Sequence, residues 1–356
     1  MEKIEIKGYK SIKDLALTLH PINILIGANG SGKTNFLSFF EFLRNIYVQN
    51  LRGYVAERGV ERILHRGPKI TTEICSKLTF DKNAYSFTIK NSEAGFVFTK
   101  EGLWYDGNPF VSNPIDISSF SYEANIKQST VERSHYIRKY LGGLLKYHFH
   151  DTSANSPFTQ MSSIENDKYI LYSKGQNLGA FLYNIMENEP VSYNLIVHTI
   201  QSIAPYFNDF YLRPSANGMI KLLWTSKYSE TIYGPTDLSD GTIRFIALTT
   251  LFMQPSLPDT IIIDEPELGL HPAAIAKLAG MIKSAAKKGC QIIAATQSSD
   301  LLAYFEPDDI VAVDLVQGAS QFKRLSYAEL SLWLEENYSM DELWKRNIVS
   351  QGQPNL

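Results

Sequence analysis

The sequence predicts an α/β fold: a parallel core sheet flanked by helices, an antiparallel β subdomain and a helical lid insertion. Three observations predict it. A glycine loop, Gly27-Ala28-Asn29-Gly30-Ser31-Gly32-Lys33-Thr34, stands between an apolar strand and a helix. Two continuous apolar runs, Ile261-Ile262-Ile263 and Ile292-Ile293-Ala294-Ala295, read as parallel strands covered on both faces. Between residues 71 and 105, apolar and polar residues alternate as they do in half-buried antiparallel strands.

Taken in order, residues 1–27 alternate at Ile4, Ile6, Leu15, Leu17 and Leu19, the pattern of an antiparallel pair leading into the strand Ile22–Ile26. The loop that follows fits G-x-x-x-x-G-K-[ST], whose backbone N–H groups wrap a nucleotide's phosphates. Phe36, Leu37, Phe39, Phe40 and Leu43 then recur at helical spacing. Strand, loop and helix put the phosphates at a helix N-terminus, where unpaired N–H groups and the helix dipole favour anions. Lys33 is expected to reach the β- and γ-phosphates, and the Thr34 hydroxyl to ligate Mg²⁺.

A charged, turn-prone stretch from 52 to 69 carries Arg58, Arg62, His65 and Arg66; the three arginines follow the helix closely enough to reach the nucleotide or a partner. The segments Leu78-Thr79-Phe80, Tyr85-Ser86-Phe87-Thr88-Ile89 and Phe96-Val97-Phe98 give a small antiparallel sheet. Asn, Ser and Tyr then dominate, with helical segments at 178–186 and 191–203, until a βα pattern resumes with helices at 272–288 and 301–305. The expected parts are an N-terminal lobe at 1–105, a helical lid insertion at 106–235 and a C-terminal lobe at 236–356.

The run Thr260-Ile261-Ile262-Ile263-Asp264-Glu265-Pro266 is an apolar strand ending in two acids. A buried strand that delivers an aspartate at its carboxyl end is a Mg²⁺ holder in phosphate-loop enzymes. Glu265 beside it suits a base for the attacking water. Alone, such a pair is equally well a solvated turn; the glycine loop upstream favours the catalytic reading. Leu238-Ser239-Asp240-Gly241-Thr242 opens a helix at 243–252 and forms a second anion-binding N-terminus, or an ordinary N-cap. A second phosphate site on one chain suggests a composite site that takes the nucleotide of another subunit.

Composition bounds the rest. The 356 residues are 44% hydrophobic and 20% charged, ordinary for a globular protein. A net charge of −3 excludes nucleic-acid binding by bulk electrostatics, so any such surface must be a local patch. No apolar run reaches membrane-span length, and the N-terminus lacks a signal peptide's apolar core. Cys75 and Cys290 match no metal or redox spacing, so the expected location is cytoplasmic with reduced thiols.

The order of motifs resembles the ABC-type ATPase heads of the SMC/RecF/OLD class. The ordered stretches are the glycine loop, Leu238–Thr242, Asp264-Glu265-Pro266-Glu267-Leu268-Gly269-Leu270-His271-Pro272 and Ala295-Thr296-Gln297-Ser298. More narrowly, the chain is similar to compact bacterial AAA-family ATPases without a long coiled coil or Toprim domain. Tyr147-His148-Phe149-His150-Asp151-Thr152-Ser153 and the tail from Leu332-Trp333-Leu334 to Glu342-Leu343-Trp344 share that likeness. The resemblance implies a P-loop NTPase of ABC-head type. It implies ATP on a Walker A loop, with Gly27, Asn29, Gly30, Ser31, Gly32, Lys33, Thr34 and Asn35 as binding residues. Ser239 and Gly241 would be signature residues touching the γ-phosphate across a dimer. Asp264 would hold Mg²⁺ with Thr34, Glu265 would be the catalytic glutamate, and Glu267 to His271 would be the D-loop. Gln297 stands where transporter-type heads carry a switch histidine, and it can donate a hydrogen bond but carry no charge. Gln49 is the one candidate for the Q-loop glutamine.

The resemblance further implies an ATP-driven homodimer working in DNA repair or phage defence. Its expected partners are DNA and a separately encoded effector such as a nuclease, with no membrane. The alternatives are a nucleotide-binding scaffold with little turnover and, further off, the ATPase subunit of a transporter. A GTPase lacks its N-K-x-D motif here, and a small-molecule kinase lacks its arginine-rich lid. His148, His150 and Asp151 have no further ligand cluster to make a metal site. The group Arg133, His135, Arg138, Lys139 and Lys146 is interrupted by Glu132 and reads equally well as a solvated helix face or a phosphate contact.

Overall fold

A computed structural model describes residues 1–105, 114–336 and 338–349. The chain opens with β1 (Lys3–Tyr9) and β2 (Ile12–Thr18), an antiparallel hairpin with Tyr9 opposite Ile12. Next come β3 (Ile22–Ile26), the glycine loop, α1 (Lys33–Val48), α2 (Leu51–Arg58) and α3 (Val60–Ile63). The strands β4 (Glu73–Phe80), β5 (Asn83–Ser92), β6 (Gly95–Tyr105) and β7 (Ile115–Asp116) extend the first hairpin into an antiparallel sheet ordered β2-β1-β4-β5-β6-β7.

The middle of the chain holds α4 (Glu132–Gly142), β8 (Leu145–Tyr147), β9 (Ser162–Ser163), α5 (Leu178–Asn188), α6 (Pro190–Gln201) and β10 (Phe207–Phe210). It continues with β11 (Met219–Ile220), which pairs with β9, and with β12 (Trp224–Ser226) and β13 (Ser229–Tyr233), which join β10. The last part comprises α7 (Asp240–Met253), β14 (Thr260–Asp264), α8 (Pro272–Lys287), β15 (Gln291–Ala295) and α9 (Ser299–Leu302). The hairpin β16 (Ile310–Val316) and β17 (Ala319–Arg324) and the helices α10 (Tyr327–Glu335) and α11 (Met340–Lys345) complete it.

The core sheet is ordered β17-β16-β3-β15-β14-β8 and is parallel except for its β17 edge. Its period of two sorts each strand between two hydrophobic layers. Ile24, Ile26, Ile261, Ile263, Ile292 and Ala294 face the layer of α5 to α8. Leu25, Ile262, Ile293, Ala295, Val311 and Val313 face α1 and the antiparallel sheet. Helix α1 buries Phe36, Leu37, Phe39, Phe40, Phe42 and Leu43 there, each side chain contributing about 1.5–3 kcal/mol.

Three expectations shift. The N-terminal hairpin belongs to the antiparallel sheet, because β1 also pairs with β4. The stretch 52–69, expected as turns, carries α2 and α3; Leu51, Tyr54 and Val55 lie at helical spacing and are buried, and that packing overrides Gly53 and Gly59. Residues 145–147, expected inside a lid insertion, form an edge strand of the core sheet: Lys146 pairs with Ile262, and three residues are too few for periodicity to reveal. Of the expected 106–235 and 236–356 segments, residues 106–113, 337 and 350–356 lie outside the described residues.

Phe39→Ala should cost about 3–5 kcal/mol of unfolding free energy, because the ring is fully buried and sits edge-on to Tyr9 at 5.0 Å. Ile70→Ser, at a 66% exposed position, should stay within about 0.5 kcal/mol. Urea titration of both variants checks this packing; equal effects would contradict it.

Candidate functional site

Parallel register brings the strand ends together. Asp264 pairs with Ala295, and Ala295 with Leu25. The ladder runs on past the strands: Glu265 N–H donates to the Ala295 carbonyl (2.8 Å) and Thr296 N–H to the Leu25 carbonyl (3.0 Å). Residues 264–265, 296–297 and the glycine loop therefore emerge side by side at the carboxyl edge of the sheet, where open α/β sheets bind ligands.

The loop has the backbone its glycines allow. Gly27, Gly30 and Gly32 have φ of 152°, 79° and 112°. A Cβ on Gly27 would lie 2.1 Å from the Val313 carbonyl oxygen, and one on Gly32 would lie 1.9 Å from Ser320 Oγ. Ser320 Oγ donates to the Ser31 carbonyl (2.6 Å) and bonds Ser11 Oγ (2.7 Å), which in turn accepts from Asn35 Nδ2 (2.8 Å). Neither serine was legible as part of the site, because Ser11 sits in the β1–β2 turn and Ser320 on β17. Asn35 thus spends its side-chain N–H₂ on the turn, while Asn29 and Thr34 stand exposed at the loop.

Lys33 Nζ donates to the carbonyls of Gly27 (2.7 Å) and Ala28 (2.9 Å). Burial lowers its pKa, and the carboxylates of Glu265 and Asp264 partly restore it. Lys10, in the β1–β2 turn, lines a cavity of about 590 Å³ with Ser11, Asn35, Arg58 and Arg62, beside the loop. Burial, with Arg58 and Lys146 nearby, lowers its pKa to about 8. Arg66 reaches away to the Gln317 carbonyl instead. Gln49 terminates α1, about 24 Å along the helix from the loop, and bonds the Ala124 carbonyl; it is no Q-loop candidate.

On the acidic side, Asp264 is paired with Lys146 from β8 (3.3 Å), and its carbonyl is 3.0 Å from His150 Nε2. Lys146 therefore belongs to this site and not to a basic helix face, a contact that strand order alone creates. Arg138 of the same expected group bonds the Lys127 and Ser129 carbonyls, and Arg133 lies over Tyr105. Asp151 bonds Ser153, and the described residues hold no group of three His, Cys, Asp or Glu side chains able to hold a metal.

Glu265 has φ of 41°, a strained value for a non-glycine residue and frequent at functional sites. Its carboxylate accepts a hydrogen bond from Gln297 Nε2. Ser239 caps α7, accepting from Thr242 N–H (3.2 Å), and Gly241 abuts residue 269: a Cβ there would lie 2.4 Å from the Gly269 carbonyl oxygen. Among the described residues neither is bonded to the glycine loop. Arg244, one turn on, donates to the carbonyls of Leu268 (3.0 Å) and His150 (2.9 Å), tying the helix to both loops.

The chain's residues fit a nucleotide. The loop is shaped by left-handed glycines, the buried Ser31 hydroxyl has no hydrogen-bond partner, and a lysine ammonium stands at the loop's mouth. Thr34 and Asp264 have the oxygen donors that Mg²⁺ prefers.

Burial raises Glu267 to about 7. The folded state then holds its proton more tightly than the unfolded chain, so stability falls as pH rises from about 4.5 to 7, by up to about 3 kcal/mol. Glu267→Gln should remove that part of the loss, and urea unfolding at pH 5 and pH 8 measures it. An unchanged pH dependence would contradict the burial argument.

Comparison with known proteins gives a family and a fold. The family model described as "AAA domain, putative AbiEii toxin, Type IV TA system" matches residues 22–303. The OLD nuclease of Thermus scotoductus is 26% identical over 117 residues, covering 30% of this chain and 21% of that protein, so the chain spans about a fifth of that relative's length. The crystal structure of an Smc head bound to the C-winged helix domain of ScpA superposes with a TM-score of 0.60 at 17% identity, covering 93% of this chain and 99% of that one. An Smc head domain with an extended coiled coil, bound to the C-terminal domain of ScpA from Pyrococcus furiosus, gives 0.54 at 16% identity over 94% and 98%. These two likenesses are of fold.

Proposed function

The chain belongs to that AAA-domain family and has the fold of an ABC-type SMC head; from this premise we propose that it binds and hydrolyses ATP as a dimeric switch. The observation that supports this best is the meeting of Lys33, Asp264, Glu265 and Gln297 at the carboxyl edge. The loop N–H groups and Lys33 hold the triphosphate, and the cavity bounded by Lys10, Arg58 and Arg62 receives the rest of the nucleotide. Thr34 and Asp264 would hold Mg²⁺, whose charge would offset that of the phosphates. Glu265 takes a proton from water as the water oxygen bonds the γ-phosphorus and the bond to the bridging oxygen breaks, giving ADP and phosphate. Gln297 steers the Glu265 carboxylate.

Ser239 and Gly241 stand exposed or half-buried at the start of a 14-residue helix, a suitable N-terminus for the γ-phosphate of a second copy. ATP then joins two copies because its differential affinity favours the closed state. The output then passes to DNA or a separately encoded effector. The nuclease named among the relatives and the ScpA seen on an Smc head are the models for such partners. DNA repair or phage defence is the setting that fits. A low-turnover scaffold is the second reading, favoured by the Gln297 bond that already occupies the Glu265 carboxylate.

Glu265→Gln should lower ATP turnover by about 10²–10⁴-fold while ATP binding persists and an ATP-dependent dimer accumulates in light scattering. Equal and negligible turnover in both proteins would establish the scaffold instead. Ser239→Arg should spare nucleotide binding and abolish the ATP-linked dimer; a dimer of unchanged mass would remove the composite site.

A further inference from the structure

The glutamate two residues beyond Glu265 does not face outward as a contact to another subunit would. Glu267 is 8% exposed, and its carboxyl accepts a hydrogen bond from the Thr296 hydroxyl at the end of β15. The Gln297 backbone N–H also points at this carboxyl, while its second oxygen is buried without a partner. A half-satisfied buried acid costs more than an apolar side chain would. Here it joins the loop after β14 to the turn after β15, beside the Gln297–Glu265 bond that links the same two segments. One of them ends β14 in the left-handed Glu265; the other carries Gln297, whose amide meets the Glu265 carboxylate. Thr296 is in turn fixed from behind, its N–H on the Leu25 carbonyl and its hydroxyl accepting from Ser298 N–H (2.9 Å).

We propose that Glu267 is a positioning residue for ATP hydrolysis: its buried carboxyl clamps the Thr296–Gln297 turn so that the Gln297 amide is held against Glu265. The proposal rests on the ATPase reading for its rate consequence but not for the clamp itself. Loss of the acceptor frees the turn, and Gln297 then meets Glu265 only part of the time. Because neither Glu267 nor Thr296 lies on the glycine loop, nucleotide affinity is untouched.

The test compares wild type, Glu267→Ala, Glu267→Gln and Thr296→Val by steady-state ATP turnover and by hydrogen exchange of residues 296–298. Glu267→Ala should lower kcat at least about tenfold with KM for ATP within about twofold, and speed exchange of the Gln297 amide. Glu267→Gln keeps an acceptor oxygen and should recover kcat to within about threefold and restore slow exchange. Thr296→Val should act in the same direction as Glu267→Ala, and the double variant should be no worse than Glu267→Ala alone. Circular dichroism checks that each variant is folded; if Glu267→Ala is not, Glu267→Gln against Thr296→Val decides. The proposal is overturned if Gln297 exchange is unchanged in Glu267→Ala, or if Glu267→Gln is as impaired as Glu267→Ala. A wild type without turnover would sink the ATPase reading alone, since exchange still decides the clamp.

Discussion

Both faces of the parallel sheet are covered, and everything at the site follows from that constraint. Strands such as β14 and β15 bury every second residue toward α5 to α8 and the others toward α1. With the faces closed, the carboxyl edge is the place where side chains can leave the sheet and still be held by it. Residues 264–265, 296–297 and the loop after β3 sit there because the ladder continues through their backbone N–H groups. The chemistry of the site is thus set by register before any charge is considered.

Charge is arranged with the same economy. Lys10 approaches from the β1–β2 turn, Lys33 from the start of α1 and Lys146 from β8; they meet the Ser38 hydroxyl, the loop carbonyls and Asp264 respectively. Burial depresses Lys10 and Lys33, an unfavourable arrangement that a triphosphate would relieve. On the other side Asp264 is already neutralised by Lys146, so a divalent ion arriving there exchanges one cation for another. The site is cationic around the loop, with Asp264 paired to Lys146 and Glu265 left as a net acid at the strand ends; the whole chain carries a net charge of −3.

What could be read from the sequence was what is contiguous. The glycine loop, the acids ending an apolar strand, and the serine at a helix start each declare themselves within eight residues. The residues that hold these groups from behind did not. Lys146 reaches Asp264 only because β8 lies next to β14, and a three-residue strand has no periodicity to find. Thr296 and Glu267 meet across 29 residues, and a buried glutamate in a run of acids looks like surface until its neighbours are known. Gln49 failed for the opposite reason: closeness in sequence to the loop became a full helix length in space.

The serine clasp has a consequence for how the molecule is made. Ser11 and Ser320, 309 residues apart, close on Gly32 and the Ser31 carbonyl. A ribosome delivers the glycine loop early and the β16–β17 hairpin late. Until that hairpin docks, the loop has its glycines and its lysine but lacks the hydroxyl that fixes its shape. The nascent chain therefore gains a finished phosphate cradle only after residues 310–324 have been made and have docked.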